Sequence, residues 1–503
     1  MCPRKGLKGI SLKVLFVSAE VAPFAKVGGL ADVIGSLPKS LAEMGHEVRV
    51  IMPAYGMIEE QHALEVVPVN GTFEVGTGSL WNRKAYLKRT QFGKVEVWFV
   101  GGHERFATAR SSETVYQSGF EQYVFFAKAV LEACAGQDWI PDIVHANDWH
   151  TGLVPVLMEE DGGRVWERTA RAFTIHNLAY QGIFGIDVLD YAGLDHSLFR
   201  YDKLETFGAF NFLKAGCVYS DQVNTVSERY SREIETPEFG CGLWGLMRHL
   251  RATGRFQGIL NGIDTDEFNP ATDPRIAANF DAHHPAGKSI CRSDLMREIQ
   301  LEPIESTPLL VAVSRLSEQK GMDLILSALD RLVALPTQIF IQGIGDPWLA
   351  DRFDEAAQKY PKHFRFVERF DIELGQRAYA GGDMFLMPSS FEPCGLGQMI
   401  AMRYGTAPIV RSTGGLADTV IEGELGFVFG DRTPEGLFDA VTRARDTYLD
   451  PSKWYALQQA CLRADYSWES SAVRYQQMYE SAVRHRRGTA PSEGSPAAGN
   501  FVG

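Results

Sequence analysis

The sequence predicts an α/β chain folded as two doubly wound domains with mainly parallel sheets. Three observations point there. Short apolar runs alternate with helical patterns from end to end, and near-continuous apolar strands separated by helices belong in parallel sheets covered on both faces. The runs are too many for one such domain in a chain of 503 residues. Finally, Gly28-Gly29-Leu30-Ala31-Asp32 recurs as Gly414-Gly415-Leu416-Ala417-Asp418, each time after an apolar strand and at the opening of a helix. An echo in that context indicates a duplicated, ligand-facing turn.

Taken in order, strands are expected at 13–19, 47–52, 64–69, 95–100, 142–146, 172–175 and 222–226, with helices at 30–44, 120–135 and 204–218 among them. The later strands are 258–260, 309–314, 338–342, 364–367, 384–387, 407–410 and 427–429, alternating with helices at 322–333, 348–359, 396–404 and 434–446. This places one domain at about residues 1–258 and a second at about 259–469. A final helix, 467–486, is expected to join the first domain and ends in Arg484-His485-Arg486-Arg487, which suits the negative end of its dipole. Residues 488–503, rich in Pro, Gly and Ser, read as a disordered tail.

Composition narrows the function. With 50 Lys+Arg against 63 Asp+Glu the formal net charge is −13, which argues against nucleic acid or an anionic membrane as partner. It leaves room for a local pocket that takes one small anion. The seven cysteines are scattered, with no C-x-x-C pair, a reduced cytoplasmic pattern rather than a disulfide framework or zinc site. No metal is expected. The basic N-terminus precedes an apolar run, Val14–Val17, that is too short for a signal peptide, and Glu20 follows at once. No run approaches ~20 apolar residues, so no membrane span is expected. Glycine is abundant, 49 residues, as tight turns and close backbone approaches to a ligand require.

Six motifs carry candidate chemistry. Lys26-Val27-Gly28-Gly29 precedes a helix, where backbone N–H groups and a cation suit an anion; its spacing fits neither a dinucleotide fingerprint nor a P-loop. Asn147-Asp148-Trp149-His150 and Thr174-Ile175-His176-Asn177 put polar groups at strand carboxyl ends, where open α/β sheets bind ligands. There His176 could donate to an oxygen. Arg315 and Lys320 in Ser314–Gly321 are two cations on one loop, suited to a diphosphate. Glu392, followed by Cys394, Gly395, Leu396 and Gly397, pairs a carboxylate with a helix start. Ser412-Thr413-Gly414-Gly415 forms another strand-to-helix anion nest. Plain alternatives stand beside these: a Gly-Gly turn with a solvated lysine, structural histidines, a surface loop with incidental charges. Cys394 has no adjacent histidine to activate it, so packing is its expected role.

Across about residues 13–486 these motifs, KVGGLADV, NDWHTG, TIHNLAYQG, NGID, SRLSEQKG, SSFEPCGL and STGGLADT, resemble those of bacterial and plant-type glycogen/starch synthases in order and spacing. The resemblance implies GT-B architecture, two Rossmann-like domains facing a cleft, and a retaining glucosyltransferase. ADP-glucose is the implied donor and an α-1,4-glucan such as glycogen the acceptor. It also implies no cofactor beyond the donor substrate. Lys26, Gly28 and Gly29 would lie near diphosphate and acceptor, with Asp32 supporting the loop. Arg315 and Lys320 would bind the diphosphate. Asn261, Leu396 and Gly397 would complete the nucleotide site, and His176 and Glu392 would surround the transferred glucose. Asp148, Asn177, Cys394, Gly395, Thr413, Gly414 and Gly415 stand in the matched motifs and are carried as substrate-binding candidates.

Two departures stand out. Gly397 replaces the family's usual Thr, with an expected loss of at most ~1 kcal/mol of nucleotide binding. Phe370 replaces a common Tyr but keeps a ring able to stack on a base. Competing readings are another GT-B transferase using UDP-glucose or a different acceptor, a glucan phosphorylase with pyridoxal phosphate, and an inactive glucan-binding protein. Tyr116, Phe120 and Trp139 are candidate stacking surfaces for the acceptor, though core packing explains each as well.

Overall fold

The computed structural model describes residues 11–488 apart from 69, 78–79 and 161–162, so the expected tail beyond 488 lies outside the described residues. The chain divides into two compact units, and a single cut at 258 does not describe the division. One unit holds the residues up to Asn224, Gly245–Phe256 and those from Ala472 on; the other holds Thr225–Trp244 and Gln257–Ser471. Residues 225–244 go with the second unit because they are hydrogen-bonded into it. Ser227 Oγ donates to Pro393 O (2.6 Å), and Asp418 Oδ2 accepts from Arg229 N (2.8 Å). The final helix, Trp468–Arg487, begins in the second unit, where Ser471 Oγ donates to Leu260 O (2.5 Å), and ends in the first.

The sheet of the first unit is built on Lys13–Val17, whose side chains from Val14 on are wholly buried. Each such burial contributes roughly 1.5–3 kcal/mol. On one side lie Glu47–Pro53 and then Val95–Gly101; on the other lie Ile143–Asn147, Ala170–Ile175, Gln222–Thr225 and Phe256–Gly258. The chain thus winds outward from Lys13–Val17 in one direction and resumes at Ile143–Asn147 in the other, with parallel pairing on both flanks. That reversal is a topological switch point. The strands' carboxyl ends there carry Glu20 and Asn147-Asp148.

The sheet is not wholly parallel as expected. Asn82–Phe92 runs antiparallel to Val95–Gly101 on one side and to Glu65–Val66 and Thr72–Gly76 on the other. Burial alternates over residues 82–87, where Ala85 and Leu87 are buried between more exposed neighbours, the pattern of an antiparallel strand with one wet face, and there is no continuous apolar run to read. The helix expected at 204–218 begins only at Phe212, capped by Asn211 Oδ1 on Lys214 N (2.9 Å). Ahead of it Glu205–Thr206 and Ala209–Asn211 form a hairpin. Its two turn residues, Phe207 (φ 51°) and Gly208 (φ 81°), both take the left-handed conformation that such tight hairpins require.

The second unit is an all-parallel sheet in the order Phe364–Val367, Gln338–Gln342, Leu309–Val313, Met384–Met387, Ala407–Arg411, Phe427–Phe429. Its switch point falls between Leu309–Val313 and Met384–Met387. The loops leaving those two strands are Ser314–Gly321 and Pro388–Gly397, which carry the strongest cationic and acidic motifs of the sequence.

Candidate active site

In the first unit the Gly-Gly turn is shaped by a carboxylate from within the chain. Glu20, only 3% exposed, accepts from Val27 N (2.6 Å) and Gly28 N (2.8 Å) and, at its other oxygen, from the Tyr116 hydroxyl. Burial raises its pKa, while those hydrogen bonds pull it back down. The sequence reading used Glu20 only to end an apolar run. Lys26 is exposed and pairs with Asp32 Oδ1 (2.6 Å), a surface ion pair of small worth.

At the neighbouring strand end, Asp148 is buried and sits at φ 55°. Its Oδ1 accepts from His176 N (2.8 Å), and Asn177 N also donates to the carboxylate. Burial lifts its pKa to about 7 against the pull of those amides. The His176 ring is half-buried, its Nε2 3.1 Å from Asn147 Oδ1, and burial lowers its pKa to about 3. Tyr116 stacks on His150 (4.4 Å, 15°), and Trp139 is 4% exposed against Trp98, so neither ring is a free platform. Phe120 packs edge-on to Phe184 and Tyr191.

In the second unit the switch point is spanned by an ion pair. Lys320 Nζ lies 2.6 Å from Glu392 Oε2, which also accepts from Ser389 Oγ (3.1 Å). The Glu392 side chain is nearly buried and Lys320 largely so. Backbone bonds lock the two loops together: Ser390 N donates to Gln319 O (2.8 Å), and Arg411, which sequence reasoning missed, reaches the carbonyls of Ser389 and Ser390. Arg315, on the same loop as Lys320, is exposed, and among the described residues its guanidinium has no ion-pair or hydrogen-bond partner.

The repeated turn closes this unit's arrangement. Gly414 N donates to both oxygens of Glu233 (3.0 and 3.1 Å), Thr413 Oγ1 lies 3.5 Å from the same carboxylate, and Gly415 N donates to Glu392 O (3.1 Å). Both copies of Gly-Gly-Leu-Ala-Asp therefore receive an internal glutamate on their amides. Neither glutamate was singled out, since nothing in its own sequence neighbourhood marks it.

The remaining candidates divide clearly. Asn261 is buried with its Oδ1 unpartnered, an acceptor held in reserve. Cys394 is buried and burial pushes its thiol to about 12, so it packs; its backbone, with Gly395 and Leu396, forms the entry to the helix Gly397–Arg403. A Cβ at Gly397 would stand 3.1 Å from the Phe385 ring, so the missing hydroxyl is accompanied by an aromatic neighbour close against the turn. Phe370 is 75% exposed, beside Asp371, which caps the helix Ile372–Gly381. Among the described residues no group of three or more His, Cys, Asp or Glu could hold a metal ion, and no helix is long and apolar enough to cross a membrane.

The buried histidines set an acid limit. His145 and His150 are held near pKa 3 by burial, against about 6.5 when unfolded. Both are neutral in the fold, so their full contribution is present above pH 6.5 and is lost as pH falls from there toward 3. Each costs about 1.4 kcal/mol per pH unit over that window. Thermal unfolding followed from pH 7 to 4 should show this slope. His150→Phe, which keeps the stacking, should reduce it by one proton.

Comparison with known proteins gives the family. Residues 13–249 match the starch synthase catalytic domain and residues 307–446 the glycosyl transferases group 1 domain. The glycogen synthase of Moorella thermoacetica is 42% identical over 485 residues, 95% of this chain and 98% of that one. Glycogen synthase 2 of Geobacter metallireducens is 41% identical over 489 residues, 95% of this chain and 100% of that one. The catalytic domain of starch synthase IV from Arabidopsis thaliana, solved with ADP and acarbose bound, superposes with a TM-score of 0.87 at 34% identity, covering 94% and 100% of the two chains. At 18% identity and a TM-score of 0.58, sucrose-phosphate synthase from Thermosynechococcus elongatus shares the fold alone. The chain is a glycosyltransferase of the GT-B class and belongs to the glycogen/starch synthase family.

Proposed function

We propose that the chain transfers glucose from ADP-glucose to the non-reducing end of an α-1,4-glucan with retention of configuration, in the cytoplasm, with no metal or further cofactor. The observation that carries this reading is the Lys320–Glu392 pair across the second unit's switch point, with exposed Arg315 on the same loop. As the bond to the diphosphate stretches, negative charge grows on the leaving ADP and positive charge on the sugar ring. Lys320, held beforehand, and Arg315 on its loop would stabilise the first, and a carboxylate already held by Lys320 and Ser389 would stabilise the second without reorganising. Glu392 suits either a covalent route or a front-face route in which the departing diphosphate assists the acceptor. Asn261 would serve the nucleotide, and Phe370, exposed, would stack on the base. In the first unit, Lys26 would meet the diphosphate or the acceptor beside a Gly28-Gly29 turn whose Gly28 amide is already held by Glu20.

The test is ADP release from ADP-glucose, with UDP release from UDP-glucose as comparison, each with and without glycogen primer. Primer-dependent turnover that favours ADP-glucose is expected. Preference for UDP-glucose would redirect the donor assignment, and glycogen binding without turnover of either donor would return the chain to the inactive glucan-binding class.

A further inference from the structure

We propose that Asn147 is a positioning residue that locks His176 in its Nε2–H tautomer, so that the ring offers Nδ1 as an acceptor to a hydroxyl of the transferred sugar. The inference rests on the reading that His176 meets that sugar, and it settles which way the hydrogen bond runs. The starting point is the Asn147 amide, whose orientation follows from its neighbours. One end lies 3.3 Å from Val17 O and 3.0 Å from His145 O, both of which can only accept, so that end is the NH2 group. The other end is then the carbonyl oxygen, 3.1 Å from His176 Nε2. A carbonyl oxygen only accepts. The proton therefore sits on Nε2, and a neutral imidazole with its proton there carries a lone pair on Nδ1.

The surroundings hold this arrangement in place. Asn147 is wholly buried at the carboxyl end of Ile143–Asn147, the strand beside Lys13–Val17 at the first unit's switch point. Its backbone N–H donates to Thr151 Oγ1 (2.7 Å), which in turn donates to Asn147 O (2.8 Å). His176 is tied through its own N–H to Asp148 Oδ1 (2.8 Å). Burial keeps the ring neutral at ordinary pH, so the second nitrogen gains no proton. Among the described residues Nδ1 has no hydrogen-bond partner, while the residue is only half-buried.

An acceptor at this position selects by chemistry. It rewards a hydroxyl and repels a carboxylate or phosphate oxygen, so the site takes a neutral hexosyl group and rejects a hexuronosyl donor carrying a carboxylate there. The donation to an oxygen that the sequence suggested for His176 is thereby reversed at the free nitrogen.

The test has two readouts on the full chain. With 15N-labelled histidine and a His176 variant for assignment, the unliganded enzyme should show the Nε2–H tautomer at His176, and Asn147→Ser should give a mixture. A protonated Nδ1 in the unsubstituted enzyme, or an unchanged tautomer in Asn147→Ser, would overturn the lock. The unsubstituted spectrum stands even where the variant fails to fold.

The second readout uses ADP-glucose and donors with each hydroxyl replaced in turn by hydrogen. One such donor should lose about tenfold in kcat/KM, and that loss should shrink or vanish in Asn147→Ser. Independent, multiplying losses for every donor would overturn the sugar contact. If the enzyme turned over no ADP-glucose at all, the transferase reading would fail on its own while the tautomer result stood.

Discussion

Lys320→Met should lower kcat by a factor on the order of 10²–10³, the usual cost of removing one fixed group that meets developing charge. It should also destabilise the second unit. Glu392 would be left nearly buried with Ser389 Oγ as its remaining side-chain donor. Breaking a buried pair typically costs about 3–5 kcal/mol, and partial solvent access to Lys320 brings the expectation to about 2–4 kcal/mol. The two effects separate in the double variant Lys320→Met/Glu392→Gln, which removes the stranded charge. Chemical denaturation should show most of the stability restored, while turnover stays low. Recovery of turnover together with stability would show that the pair is only a structural strut.

Gly414→Ala should be strongly damaging: among the described glycines a Cβ there comes nearest to another atom. Gly414 sits at φ 44°, and a Cβ there would lie 1.8 Å from Glu392 O, a main-chain atom that cannot swing aside. The left-handed conformation costs an ordinary residue about 1–2 kcal/mol, and forced overlap adds about 1–3 kcal/mol. The strain is relieved only by moving the backbone that carries Glu392, so turnover should fall with stability. The equivalent residue of the first copy behaves differently. Gly28 is extended at φ −145°, and a Cβ there meets nothing within 4 Å. Gly28→Ala should therefore melt within about 1 kcal/mol of the parent. Lost activity in that stable variant would show that the glycine makes room for a ligand. Retained activity would assign it to the turn alone.

That contrast shows what a sequence can and cannot carry. The five-residue echo correctly located two strand-to-helix turns, because glycine spacing and apolar flanks are local properties. It could not show that one turn is crowded and the other open, nor that Glu20 and Glu233 come back to hold their amides. Arg411 escaped notice for the same reason, since its partners Ser389 and Ser390 are brought to it by the pairing of two strands. Lys320 and Glu392 were readable singly, each at a strand end. Their pairing needed the strand order, which places Leu309–Val313 beside Met384–Met387. The polar antiparallel strand Asn82–Phe92 and the hairpin before Phe212 were invisible because neither writes an apolar run.

The course of the last helix also bears on how the protein is made. Tyr479, past its midpoint, bonds His145 (2.8 Å) in the core of the first unit, and Tyr475 bonds Asn224 (3.2 Å). A ribosome delivers residues up to 224 early, but the tyrosines that complete their core emerge only after the whole second unit has been translated. The usual order, in which an N-terminal body finishes folding before its successor appears, is closed to this chain. Its first half must wait, unfinished, for the last helix.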